Sequence, residues 1–321
     1  MKIKPILIVA GEPFSVFSEI FFKTKKIKKI KNPIVLIASK KLILKQMKFL
    51  GFQYKINLID FKTNNFYKLN NKKINLIDVN FVFKKTFDLI TDKSNIYIKR
   101  CFDIGLKILT EKDCLGLING PISKKNFLKK KYFGITEYLA SRGKIKDKVA
   151  MIIYNKKLSV SPITTHIPLK DVHKHLTQKK IINHIKLIKD FYINKLKINP
   201  RIAVTGLNPH CESNYNSSEE EKTIKPAIKY LMKNNFKIKG PFPADTIFLK
   251  ENLKKYDVVV GMYHDQVLAP AKALFGFNSI NITIGLPYIR ISPDHGPNVS
   301  MLGKNISNPN SLIHSIKFLD K

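Results

Sequence analysis

Three histidines in this chain each follow a short apolar run of the kind that forms a buried strand. Val258, Val259 and Val260 lead through Gly261 to His264, Asp265 and Gln266. Residues 158–163 lead to Thr164, Thr165 and His166, and Ile202, Ala203 and Val204 lead through Gly206 to Asn208, Pro209 and His210. β-branched runs suit parallel strands buried on both faces, and in open α/β sheets ligands bind outside the carboxyl ends of the strands. The spacing predicts three neutral imidazoles delivered by three strand ends to one place. Such a donor set suits a divalent metal with open positions. Asp265, beside His264, and Asp245, in Pro243-Ala244-Asp245-Thr246, are placed to orient a ligand or move a proton.

A second constellation lies just downstream. Lys272 follows His264 by eight residues, Asn281 opens the apolar stretch Asn281-Ile282-Thr283-Ile284, and Arg290 stands between Ile289 and Ile291. An ammonium, an amide and a guanidinium arriving at one cleft suit a phosphate or a carboxylate. Arg290 is one of only four arginines among 58 basic residues, so a bound anion explains its charge better than a surface ion pair.

The elements that must position these groups read as alternating strands and helices. Residues 5–10 form a first strand, followed by a helix through Ile20 and Phe22; residues 34–38 form a second strand and 40–50 a second helix. That alternation predicts an α/β protein with a largely parallel sheet covered by helices. Residues 62–80, rich in Asn and Lys, read as the least ordered part. A helix over 96–109 leads to a strand at 114–118, with Asn119 or Ser123 placed to cap the next segment. Thr177 is placed to cap a helix whose apolar face is Ile181, Ile185 and Ile188, and His184 beside that face reads as a packed residue. His173, His175 and His314 receive no chemistry. Ser217 to Glu221, the densest acidic run, reads as a capping box rather than a cation site. Leu312, Ile316 and Leu319 mark a closing helix. There is no internal repeat, no linker and no glycine-rich GxGxxG or Walker loop.

Composition narrows the function classes. At 321 residues the chain is long enough for two lobes around a cleft, read as a single catalytic unit (1–321) of two interleaved subdomains. No apolar run approaches the roughly 20 residues needed to span a bilayer, so a cytoplasmic location and no membrane partner are expected. Cys101, Cys114 and Cys211 are too few and too far apart for a disulfide framework, and reduced thiols are expected. The net charge of +35 raises the question of nucleic acid. The lysines are spread over every segment, however, and arginine, the residue that suits phosphate and base recognition, is scarce. The bias reads as a solvated surface that attracts anions, without specific nucleic-acid binding.

The phrases NGPISK (119–124), GITEYLA (134–140), TTHIPLKDV (164–172), GLNPHCE (206–212), PFPADTIF (241–248), YHDQVLAPAK (263–272), NITIGLPYIRISPDHG (281–296) and NPNSLI (308–313) closely resemble the 4-hydroxythreonine-4-phosphate dehydrogenases of vitamin B6 synthesis. The resemblance is collinear over nearly the whole chain. It implies an isopropylmalate-dehydrogenase-like α/β/α fold and a homodimer with active sites at the subunit boundary. It also implies NAD bound without a Rossmann fingerprint, and a divalent metal (Zn, Mg or Co) on His166, His210 and His264. Thr136, Lys272, Asn281 and Arg290 would contact a small phosphorylated substrate. The implied reaction is metal-assisted oxidation of 4-phosphooxy-L-threonine by NAD, followed by loss of carbon dioxide. A sibling enzyme acting on 4-phospho-threonate or -erythronate is the nearest alternative, a basic nucleic-acid-binding protein is a second, and a scaffold that has lost activity is a third.

Four departures from the family pattern stand out. Ile135 replaces the family histidine before Thr136, and Cys211 to Asn216 replaces a glycine-rich continuation. Gly11 to Glu19 departs from GDPAGIGPE, and Pro297 replaces a threonine. None falls on the three histidines or on Lys272, Asn281 and Arg290.

Overall fold

A computed structural model describes residues 3–27, 30–62, 66–128, 132, 134–143, 148–211, 217–293 and 295–321. The chain divides into two compact units, residues 1–135 with 287–321 and residues 136–286. In chain order the first unit contributes strands β1 (Ile6–Val9), β2 (Ile34–Ala38), β3 (Ile56–Leu58), β4 (Ile74–Asp78) and β5 (Gly116–Asn119). The second contributes β6 (Ala150–Tyr154), β7 (Ser159–Pro162), β8 (Ile202–Thr205), β9 (Ile238–Phe242), β10 (Val258–Gly261) and β11 (Ile280–Ile284), before the chain returns to the first unit as β12 (Arg290–Pro293).

Within the first unit the strand order is β3-β4-β2-β1-β5-β12, and every pairing is parallel. All of β1 and β2 is buried, as a parallel sheet covered by helices requires. The covering helices are Phe17–Thr24, Lys40–Phe49, Asn95–Glu111 and Asn310–Leu319. Ser39 caps the second of these by accepting from the Leu42 amide at 3.4 Å. One expectation fails here: residues 62–80, read as poorly ordered, contain β4, whose first four residues are buried between β2 and β3. The polar Asn75 that weakens its apolar signal is buried too, and its amide donates to the Ile34 and Asn70 carbonyls. Apolar periodicity does not register a residue whose polarity is satisfied inside the sheet.

Within the second unit the order is β11-β6-β7-β10-β8-β9. β7, β10, β8 and β9 run parallel, while β6 is antiparallel to both β7 and β11. The sheet is therefore less parallel than the strand–helix alternation predicted. Only four residues join β6 to β7, too few for the crossover a parallel pair needs. Val160, Ala203, Val259, Val267 and Ala271 lie in its core. The helix Gln178–Phe191 buries Ile181, Ile185 and Ile188, and Thr177 caps it, its hydroxyl accepting from the Lys180 amide at 3.2 Å. Ser123 similarly caps the turn after β5 by accepting from the Asn126 amide.

Glu12 lies just beyond β1 with 1% of its surface exposed, lining a small cavity with Phe17, Leu42, Ile43 and Tyr97. Neither carboxylate oxygen has a hydrogen-bond partner. Burial raises its pKa to about 7, and the nearby Ser94 hydroxyl and Phe14 amide, neither in hydrogen-bonding geometry, pull it back only in part. Between pH 4.5 and about 7 the folded chain keeps a proton that the unfolded chain has released. This group's share of stability is therefore present at low pH and lost as pH rises through about 7. At 1.36 kcal/mol per pKa unit that share is about 3 kcal/mol. Urea unfolding of the wild type and Glu12→Gln is expected to show the variant gaining about 2.5 kcal/mol relative to wild type from pH 5 to pH 8. A pH-independent difference contradicts this account of Glu12.

Candidate active site

Parallel register sets the ends of β7, β10 and β8 side by side. Pro162 of β7 is level with Gly261 of β10, and Val204 of β8 is level with Val260. Beyond the strands the chain stays tied together. The Ile163 amide donates to the Gly261 carbonyl at 2.8 Å, and the Thr164 hydroxyl donates to the Met262 carbonyl at 2.7 Å. Two residues after each anchored position come His166 and His264, the latter opening the helix His264–Phe275. Their ring centroids are 5.6 Å apart. Two imidazoles sharing a metal at about 2.1 Å with a tetrahedral angle place their centroids about 5 Å apart, so the pair stands near ligand spacing. The Nδ1 atom of His264 is 2.8 Å from Asp265 Oδ1. With a carboxylate accepting there, Nδ1 carries the proton and Nε2 keeps a lone pair for a metal. Asp265 is 83% exposed, so this bond orients the ring and adds little stability.

Gln266 joins the β10 end to the β8 end. Its Oε1 accepts from the Met262 amide at 2.7 Å and the Thr205 hydroxyl at 2.9 Å, and its Nε2 donates to the Gly206 carbonyl at 2.7 Å. Gly206 is glycine for lack of room: a Cβ there would sit 2.6 Å from Cys211 Sγ. The chain then folds back through His210 (φ 58) and Cys211 (φ 56), both in the left-handed region. His210 is exposed. Among the described residues no three His, Cys, Asp or Glu side chains are grouped as a metal requires. The fold thus brings together two of the three predicted ligands.

The acidic run has a second role that the capping reading missed. Ser218 does cap the following turn, accepting from the Glu221 amide at 3.3 Å. Glu220, fully buried, instead reaches back to the His210 loop. It accepts from the Leu207 amide (2.7 Å), the Asn208 amide (2.9 Å) and Asn208 Nδ2 (2.9 Å), while Glu219 also accepts from that Nδ2. Burial raises the Glu220 pKa, but the hydrogen bonds from Asn208 and Leu207 outweigh it and hold the pKa below the usual value.

Of the anion-binding candidates, Lys272 lies on the helix that His264 opens, its Nζ 5.3 Å from the Phe277 ring centroid. Asn281 on β11 donates to Met151 Sδ at 3.2 Å, and its buried Oδ1 has no partner. Thr136 Oγ1 lies 3.2 Å from Thr283 Oγ1, on the face of β11 that Asn281 shares. Arg290, on β12 in the first unit, is fully buried, so it is no surface ion-pair residue. Its Nε donates to Asn119 Oδ1 at 2.7 Å. Asp245 is exposed in the turn after β9. His184 is buried with Nε2 2.7 Å from Ser161 Oγ, and burial pushes its pKa to about 3, as a packed neutral residue requires. Residues 212–216 and Asp294, which belong to the family-like motifs, lie outside the described residues.

The family model for the pyridoxal phosphate biosynthetic protein PdxA matches residues 29–319. The chain belongs to the PdxA family. It is 38% identical over 318 residues to the 4-hydroxythreonine-4-phosphate dehydrogenase of Sulfurihydrogenibium sp. (strain YO3AOP1), covering 97% of this chain and 96% of that one. The crystal structure of the enzyme of that name from Klebsiella pneumoniae superposes with a TM-score of 0.84 at 28% identity, covering 98% of each chain. An isocitrate dehydrogenase from Methylococcus capsulatus, at 11% identity and a TM-score of 0.50 over 98% of this chain and 84% of that one, shares the fold. The expected fold class is therefore correct. PdxA membership implies a dehydrogenase with an NAD-type cofactor and a divalent metal.

Gln266 and Glu220 are the two positioning groups that residue-type reasoning passed over. Gln266→Leu keeps the approximate volume but leaves the Met262 amide, the Thr205 hydroxyl and the Gly206 carbonyl without this partner. At about 1–3 kcal/mol for each buried orphan, a loss of about 3 kcal/mol or more is expected in urea unfolding. A loss under about 1 kcal/mol would mean the strand ends are held by other contacts.

Proposed function

We propose that this PdxA-family chain oxidises 4-phosphooxy-L-threonine with NAD and decarboxylates the product to 3-amino-2-oxopropyl phosphate. The reading rests chiefly on one geometric observation in a chain of this family: the His166–His264 pair at near-ligand spacing, one ring oriented by Asp265. The donor chemistry fits a divalent ion of the Zn, Mg or Co kind. His166 and His264 would hold it, with His210 as the third ligand. When bound, such an ion supplies Lewis-acid polarisation of the substrate's C3 hydroxyl and amine, and NAD accepts the hydride. The chain has no glycine-rich loop of the GxGxxG type, so the cofactor would be held by other residues.

The remaining roles belong to the chain's own side chains. Thr136, Lys272, Asn281 and Arg290 are the substrate contacts, two of them fixed cations suited to a phosphoryl group or a carboxylate. Asp265 orients His264, and Asp245 takes the hydroxyl proton as hydride leaves C3. The resulting β-keto acid then loses its carboxylate as carbon dioxide. The carbon–carbon bonding pair passes to the ketone, and a proton returns to the carbon left behind. We assign the protein to the cytoplasm and to a homodimer in which each site is completed at the subunit boundary. No helix among the described residues is long and apolar enough to cross a membrane.

The test is NAD reduction by the purified protein on 4-phosphooxy-L-threonine beside 4-phospho-threonate and 4-phospho-erythronate. Turnover of the first, abolished by chelation, is expected, and preference for either of the others assigns the chain to the sibling activity. His264→Ala is expected to lower kcat/KM by about 10²-fold or more, since loss of a Lewis-acid contact costs several kcal/mol. Asp245→Asn is expected to lower kcat by about 10²-fold or more, the usual share of a positioned proton acceptor. An unchanged kcat excludes Asp245 as the proton acceptor.

A further inference from the structure

We propose that the small cavity beyond β1 in the first unit binds a single monovalent cation of the Na⁺ or K⁺ kind, held by the Glu12 carboxylate and the Ser18 hydroxyl. Glu12 and Ser18 both line this cavity and are only 1% and 3% exposed. Both carboxylate oxygens of Glu12 and Oγ of Ser18 are buried with no hydrogen-bond partner among the described residues. A glutamate is almost never buried without a partner, and here the backbone keeps it inside. The Glu12 amide donates to the Pro121 carbonyl at 2.8 Å, and the Glu12 carbonyl accepts from the Ser15 hydroxyl at 2.7 Å. Gly11 before it has a φ of 76°, and a Cβ there would stand 2.5 Å from the Pro121 carbonyl oxygen.

The donors around the cavity are spent elsewhere. Gln46 gives its side-chain N–H groups to the Pro13 and Thr86 carbonyls. At the start of the helix Lys40–Phe49, the Lys40 amide goes to Asp78 and the Leu42 amide to Ser39. The Tyr97 hydroxyl accepts from the Ser39 amide at 3.1 Å, and burial holds its pKa well above the usual value, so it stays neutral. Glu19, next to Ser18, gives Oε1 to Lys23 and to the Ser307 amide. Among the described residues, Glu12 is the one charged group on the lining. A buried carboxylate with no cationic side chain beside it takes up a proton or coordinates a metal ion. Below about pH 7 the proton serves; above it, the charge calls for a cation. Oxygen donors select hard cations. A single negative charge balances a monovalent ion, whereas a divalent one would leave net charge beside apolar Phe17, Leu42 and Ile43. The space admits about one water-sized body, which fits a bare alkali ion and excludes a larger organic cation.

The test is urea unfolding of the full chain at pH 8 and fixed ionic strength. Tetramethylammonium chloride, whose cation is too large for the cavity, is replaced stepwise by NaCl or KCl. Once the alkali cation exceeds its dissociation constant, each tenfold rise is expected to raise the folded-to-unfolded ratio of the wild type by up to about tenfold. The ion thereby restores part of the stability that the wild type loses between pH 5 and pH 8. At pH 5 the dependence is expected to move to about 100-fold higher salt, because the proton then occupies nearly every Glu12. Glu12→Gln is expected to lose the dependence at pH 8, and Ser18→Ala to weaken it severalfold. Should Glu12→Gln fail to fold, the wild type at pH 5 gives the same comparison without a substitution. A response to one of the two salts alone supports the site and names its ion. Equal midpoints in all three salts at pH 8 overturn the inference and leave the cavity to a water molecule or a proton. An equal dependence in Glu12→Gln overturns it too, since the cation then acts elsewhere.

Discussion

Parallel register among β7, β10 and β8 is the constraint on which the rest of the second unit depends. Because Pro162 is level with Gly261 and Val204 with Val260, three loops leave the sheet along one edge, whatever their sequences. Register alone places backbone and leaves side chains free. The hydrogen bonds of Thr164 and Gln266 carry it past the strand ends, turning three separate loops into one cross-linked rim. Both are neutral groups, and three of these four hydrogen bonds reach backbone atoms, which lets the rim be buried at little electrostatic cost.

Charge is used differently in the interior and on the surface. The net charge of +35 comes mostly from lysines in every segment. Inside, the charged groups are few, and their settings differ. Arg290 is buried and held through Asn119, and Glu220 is buried and saturated by N–H donors, its pKa kept low. Glu12 is buried without partners and holds a proton up to about pH 7. Desolvation disfavours the ionised form of both carboxylates, and hydrogen bonding to the ionised form is what separates Glu220 from Glu12.

The departures from the family pattern acquire a physical setting. Ile135 opens the helix Ile135–Arg142 half-buried beside Thr136, which is held by Thr283 at the face of β11 that carries Asn281. An apolar group therefore stands next in sequence to a proposed substrate contact, where it changes shape and polarity. Cys211, the first residue of the altered segment after His210, packs against Gly206 and takes a left-handed conformation that glycine would adopt more cheaply.

The sequence by itself determined the α/β class, the strands that carry His166, His210 and His264, the Thr177 cap and the packed state of His184. Each is a local property: an apolar run of strand length, a hydroxyl before a periodic segment, or an imidazole beside an apolar face. The motif phrases added the family, which the comparisons bear out. Only the tertiary structure decided that β6 runs antiparallel, that β4 lies within a polar stretch, and that Glu220 restrains a loop rather than capping a helix. It also decided that His166 and His264 meet while His210 stands apart, on a turn whose backbone is strained. In each case a polar group is satisfied by a partner distant along the chain, and neither periodicity nor residue type carries that information. Gln266 shows the divide: it sits in the motif beside His264 and Asp265, yet its task became visible only when three strand ends converged on its amide.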